Sequence, residues 1–188
     1  MSTKSIVLLV LLALSVFWTV GGYNRLMRLK NAVSNAFSPV DFQFKDRHDL
    51  LLKLVEAASE YLQHDPVTLN ELMQARSDSS GAHDAVLSRP THGHTVQTLM
   101  AAEQKLNDKL DKLWAAGTTN LAILADPKIR ELAQQLITTQ SKLAFGCQAF
   151  NDSVLLFNEA QRQFPTVVIA RLFGFSPAAA LNIGLSTS

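Results

Sequence analysis

The chain has 188 residues and a formal net charge of +1, from 17 Lys and Arg against 16 Asp and Glu scattered without any block of like charge. That balance provides no field to concentrate nucleic acid, so no nucleic-acid partner is expected. Cys147 is the only cysteine, which excludes an internal disulfide and mildly favours a reducing compartment.

The first element is the run Ile6 to Val20, fifteen residues without a charge, flanked by Lys4 on one side and by Arg25, Arg28 and Lys30 on the other. Extended from Ser5 to Tyr23 the neutral stretch is 19 residues. At about 1.5 Å of rise per residue it just covers a hydrocarbon core of about 30 Å. It is read as a membrane anchor over residues 1–23. A cleaved signal peptide is the rival reading. Val20-Gly21-Gly22 lacks Ala at the decisive position, and the apolar pattern continues without a linker, so retention is preferred. One Lys precedes the span and three basic residues follow it, which predicts that the larger part of the protein faces the cytoplasm.

Leu26, Leu29, Val33, Ala36 and Val40 recur at spacings of three and four, so the membrane helix is expected to run on into water. Ser38-Pro39-Val40-Asp41 carries a start signal, with Ser as N-cap and Pro at the first helical position, and predicts a kink or a fresh helix at Pro39. Phe44, Leu51, Val55, Ala58 and Leu62 carry that helix to about Gln63. Asp65-Pro66 repeats the device and opens a helix to about Arg76. Residues 77–95, polar and holding Gly81, Gly93 and Pro90, are expected to form a loop, with at most fraying turns around Asp84 to Leu87. The loop holds His83, His92 and His94, but their spacing fits no zinc set, and a solvated loop is the preferred reading.

Leu99, Leu106, Leu110 and Leu113 stripe a further helix ending near Gly117, a natural C′ residue. After a short link, Asp126-Pro127 opens the most regular stretch. Ile129, Leu136, Leu143, Phe150, Phe157 and Phe164 fall at seven-residue intervals with no proline between Lys128 and Phe164. A helix of about 36 residues and about 54 Å follows. Beside that row run the small residues Thr139, Gly146, Ser153 and Ala160, which let a neighbouring helix approach closely. Phe164-Pro165 stops the helix. The segment around Leu172, Phe173, Gly174 and Phe175 is too apolar to be loose, and Ser176-Pro177 begins a last short turn.

The fold class is therefore all-α, an N-terminal transmembrane helix followed by an antiparallel bundle of long helices over residues 24–175, with a tail at 176–188. Several elements taken in order resemble the LemA family of bacterial membrane proteins. They are Tyr23-Asn24, Arg47-x-Asp49-Leu50, Leu54-Val55-Glu56, Ala75-Arg76, Asn151-x-x-Val154-x-x-Phe157-Asn158, Phe164-Pro165 and Ala170 to Phe175. The resemblance implies a single span, a short N-terminus outside and a cytoplasmic bundle, and brings no defined molecular function with it. Leu52 stands where the family pattern has proline, and Gln140, Cys147 and Phe150 stand where it has Glu, Arg and Tyr. Thr118, Asn120 and Leu121 replace an acid-Tyr-Pro element. Joint loss of the two charges suits a former structural pair better than a catalytic acid.

No residue is assigned as catalytic, cofactor-binding or metal-binding, since no phosphate-cradling loop, His-Glu-x-x-His, cysteine pair or nucleophile motif occurs. Arg47 and Asp49 are read as interhelical pairing groups, with partners such as Arg76, ahead of a partner-contact surface. Asn151 and Asn158, seven apart, are read as amides fixing helix register across the bundle. Cys147 is read as a small core residue, because nothing local would hold a thiolate. The expected function is a membrane-anchored scaffold or adaptor, not an enzyme, that contacts the membrane and another protein. A ligand-binding or catalytic module with a pocket between helices is the alternative. Self-association through the phenylalanine row is expected only if those rings are not covered within one chain.

Overall fold

The long apolar start, the three proline-opened segments and the heptad stretch all become helices in the protein, whose structure is a computed structural model. It describes residues 3–62, 66–119 and 121–183. In order these form α1 (Thr3–Ala36), α2 (Ser38–Ser59), α3 (Pro66–Ser88), α4 (Gly93–Thr119), α5 (Leu121–Ala125), α6 (Pro127–Arg162) and α7 (Thr166–Leu172). The fold is all-α, with no strand among the described residues. Asp65 and Asn120, with the side chains of Thr118 and Leu121, lie outside the described residues.

Among the described residues one helix is long and apolar enough to cross a membrane, and none of the residues of its most apolar stretch, at the start of α1, is buried among them. Leu26 and Val33 further along the same helix are fully buried. Anchor and bundle thus share one rod. At its junction with α2 the expected start signal is only half used. Ser38 is not the cap: Phe37 precedes α2, keeps helical dihedrals and makes no side-chain cap. The Asp41 N–H still bonds to the Phe37 carbonyl. Proline at the first turn costs no hydrogen bond that a helix start would make, so the rod kinks here without ending.

α2, α3, α4 and α6 form the bundle. α2 and α6 run antiparallel, as the pairs Asp46–Thr139 and Phe37–Phe150 show. Glu71–Lys109 and Asp78–Lys105 give the same sense to α3 and α4. Ile129, Leu136, Leu143, Phe150 and Phe157 of α6 are buried, each removal from water being worth about 1.5–3 kcal/mol. Phe164 lies beyond the helix end and is exposed, so the row has five buried members and not six. The small row has its expected effect at Gly146, where an added Cβ would meet Val40 Cγ2 at 3.3 Å. Asp126 caps α6, its carboxylate accepting from the Lys128 and Ile129 N–H groups.

Three expectations fail. The loop over residues 77–95 is mostly helix, since α3 runs to Ser88. Its Ser79, Ala82, His83 and Val86 are buried at helical spacing, so packing overrides the weak propensity of the serines and Gly81. α4 passes Gly117 to Thr119, and the link contains the short helix α5. The last expected turn, at Ser176-Pro177, does not form. Gly174 takes a φ of +67°, and the Phe175 N–H bonds back to the Ala170 carbonyl at 2.9 Å, closing α7. Residues 175–183 then run non-helically along α6, burying Ala178 and Leu181 in the core.

Candidate functional site

Of the three buried apolar clusters, the two larger ones are separated by a polar layer. One cluster holds Phe44, Ala82, Leu99 and Leu143; the other holds Leu50, Ala75, Leu106 and Leu136. Between these levels the four helices contribute Arg47 and His48, Ser79, Glu103, and Thr139, all buried. Arg47 pairs through Nη1 with Glu103, the two side chains being 3% and 1% exposed, and donates through Nη2 to Asn107 Oδ1 at 2.6 Å. The Ser79 hydroxyl donates to the other Glu103 oxygen, and His48 Nε2 lies 3.1 Å from the Ser79 oxygen. Arg76 donates through Nε to the His48 carbonyl at 2.8 Å, and Thr139 donates to Asp46 Oδ2 at 3.0 Å.

Serine, histidine and glutamate within reach of one another invite comparison with a hydrolytic triad, but their order is wrong for it. A nucleophile needs its proton directed at the imidazole, with the acid behind the imidazole. Here the hydroxyl proton goes to Glu103, so the serine oxygen accepts from His48. Burial first, and then the positive charges of Arg47 and Arg76, lower the His48 pKa to about 3, leaving a weak base. The site is closed to solvent as well. Chemically this is a lock in which every charge has a partner, and it holds the helices in one register.

Arg47 is thus an interhelical pairing group, as expected, with Glu103 as its partner; Arg76, named as a possible partner, bonds to the His48 carbonyl instead, and Asp49 is exposed. Glu103, Ser79 and His48 were not singled out in the sequence. Their signal was position. Glu103 lies four after Leu99 and three before Leu106, on the apolar stripe itself, as Arg47 does between Phe44 and Leu51.

His83, read as a loop residue, is buried with its ring centroid 5.8 Å from Phe37 and 4.9 Å from Phe44. Its Nε2 lies 3.1 Å from Asp41 Oδ1, out of line for a hydrogen bond, and desolvation lowers its pKa against the pull of Asp41. His92 and His94 are exposed. Among the described residues no three His, Cys, Asp or Glu side chains are gathered to hold a metal. Cys147 is buried in the core, as expected, and desolvation pushes its thiol pKa up to about 12.

The two asparagines do not bridge helices. Asn158 accepts from the Ala178 N–H and donates to the Ala178 carbonyl, both at 2.8 Å. Asn151 accepts from the Leu181 N–H at 2.7 Å and donates to the Leu181 carbonyl at 3.1 Å. Each amide thereby pairs with both backbone groups, N–H and C=O, of one residue of the tail. Seven residues of helix advance about 10.5 Å, and three residues of extended chain about 10 Å. The two rungs therefore match.

Several clefts open on the surface, one of them over Cys147 beside Leu181 and Asn182, and two others are wider. One, of about 640 Å³, lies between α2 and α6 and is walled by Pro39, Phe42, Lys142 and Phe145. The other, of about 620 Å³, is lined by Tyr23, Lys30, Arg89, His92 and Phe175 among others.

No curated protein matches the chain significantly. The family model of the LemA family matches residues 36–187, which takes in the kink, the polar layer, both asparagines and the docked tail. On that match, the chain belongs to the LemA family.

Proposed function

We propose that the protein is a membrane-anchored helical scaffold that offers one flank of its bundle to another protein and turns over no substrate. One observation carries this reading: Phe42 and Phe145 are 67% and 76% exposed on either side of the cleft between α2 and α6. Large aromatic rings left in water at a groove are what a protein partner covers. The sealed polar layer points the same way, because its charges are closed on one another. The basic residues after the span support a bundle on the cytoplasmic side of a bacterial plasma membrane.

A photo-crosslinking residue at position 145 of the full-length chain in native membranes tests the adaptor role, with position 67 as control. A discrete crosslinked band at 145 that a Phe42→Ser change removes is the expected result. Equal labelling at 145 and 67 refutes the reading. Protease digestion of spheroplasts against inverted vesicles tests the orientation, and digestion of the bundle from the outer side overturns it.

A further inference from the structure

We infer that the corner where α6 turns into α7 enters the same lipid interface as α1, so that the bundle rests on the bilayer at a second point and does not hang from a single rod. This rests on the reading of α1 as a membrane anchor. The depth is set by one contact: the Phe164 ring centroid lies 6.2 Å from that of Trp18, which is inside the uncharged run ending at Val20. Wherever Trp18 sits in the membrane, Phe164 sits beside it at the same level.

α7 is held to that level along its length. Its inner face, Thr166, Ile169 and Ala170, is buried. Ile169 Cγ1 comes so close to α1 that a Cβ on Gly22 would meet it at 3.0 Å. Tyr23 packs on Phe173 with ring centroids 5.0 Å apart, and Arg25 donates to Gln163 Oε1 at 3.2 Å.

The outer face is the unexplained one. Phe164, Val168 and Leu172, spaced four apart, are 83%, 49% and 71% exposed, and Phe173 adjoins them. Three large apolar side chains in nine residues form a stripe facing away from the protein. It starts at the level of a span whose own apolar residues are equally uncovered. Arg162 and Arg171 are exposed near the two ends of the stripe, and Arg25 and Arg28 follow the span. Apolar residues with flanking guanidinium groups and a tyrosine suit the boundary between acyl chains and headgroups, where such stripes bury about 5–10 Å deep. The occupant is therefore the lipid itself, continuous with the lipid around α1.

The test uses the full chain with Cys147→Ala and one new cysteine, Phe164→Cys or, as control, Val67→Cys, labelled with the fluorophore NBD. Both positions are exposed; replacing the Phe164 ring gives up its contact with Trp18, while Ile169 against Gly22 and Phe173 against Tyr23 still hold α7 to α1. The chain is reconstituted into vesicles of zwitterionic and anionic phospholipid, with or without a nitroxide lipid, and flotation is read alongside fluorescence. Emission at 164 should shift to the blue and fall at least about twofold with a nitroxide placed at the shallow depth typical of interfacial helices; emission at 67 should do neither. A chain that floats but gives the same unquenched emission at 164 and 67 overturns the inference and leaves the anchor intact. A blue shift at 164 without quenching means that protein covers the stripe, and also overturns it. A chain that fails to float overturns anchor and corner together.

Discussion

Replacing Glu103 with alanine should be among the most damaging single changes the bundle can suffer. The substitution leaves the Arg47 guanidinium with only Asn107 and strips the Ser79 hydroxyl of its acceptor, at a site where both side chains are almost wholly enclosed. Removing one partner of a buried ion pair costs about 3–5 kcal/mol, because the remaining charge stays buried without compensation. A domain of this size has about 5–15 kcal/mol in total and loses about 2–4 °C of melting temperature per kcal/mol. Thermal unfolding of the full chain in detergent, followed by far-UV circular dichroism, should therefore show a drop of about 6–20 °C. The double replacement Arg47→Met with Glu103→Leu removes both charges and refills the space, so it should melt above Glu103→Ala and above Arg47→Met alone. A Glu103→Ala melting point within about 2 °C of the parent, or a double variant showing the sum of the single losses, would mean that water reaches the pair and that the lock described above does not exist.

Asn158→Ala removes both bonds to Ala178 and should cost about 1–3 kcal/mol. Hydrogen exchange should rise at residues 178–181 while α6 stays protected; unchanged exchange there would refute the tail's dependence on the rung. Cys147, with its thiol held near 12 by burial, should resist Ellman's reagent at pH 8 in the folded chain. It should react faster once Asn151→Ala and Asn158→Ala free the tail, because Leu181 and Asn182 help close the cleft over it. The folded-state pKa of His48 is about 3 against about 6.5 unfolded, so only the unfolded chain takes up a proton in that interval. Its contribution is fully present above pH 6.5 and is lost as pH falls, by up to about 1.4 kcal/mol per pH unit down to pH 3. The same titration in His48→Gln should be flatter by about that slope, and an equal slope would refute the neutral buried imidazole. Gly146→Val should destabilise by about 1–3 kcal/mol by pressing on Val40, with Val40→Ala recovering part of it in the double variant.

Periodicity made most of the helices legible. α6 could be read almost to the residue because every seventh position is apolar and Asp126-Pro127 marks its start. The kink at Pro39 was visible for the same chemical reason, although Ser38 was credited with a cap it does not make. α3 was cut short because its second half, SDSSGAHDAVLS, scores as a turn on composition. Ser79 is buried there because the interior at its level is polar, and His83 because the Phe37 and Phe44 rings cover it; both environments are set by other helices. Glu103 was passed over for the same reason. An acid on an apolar stripe reads as a blemish in one helix, and becomes one side of a lock only when Arg47 and Ser79 are seen to stand at the same height. The asparagines were picked out correctly and assigned the wrong partner. Their spacing of seven fits a neighbouring helix as well as it fits three residues of extended chain, and only the path of the tail decides between them.

The two asparagine rungs recognise peptide groups and are blind to what those groups carry. Residues 178 and 181 could change identity among small and apolar types while docking held. A proline at either position would take away the N–H that its rung requires. Inserting one residue between the rungs would put the second about 3 Å out of step. The stretch from residue 178 to 181 is thus located by counting, and its length between two fixed points matters more than its spelling.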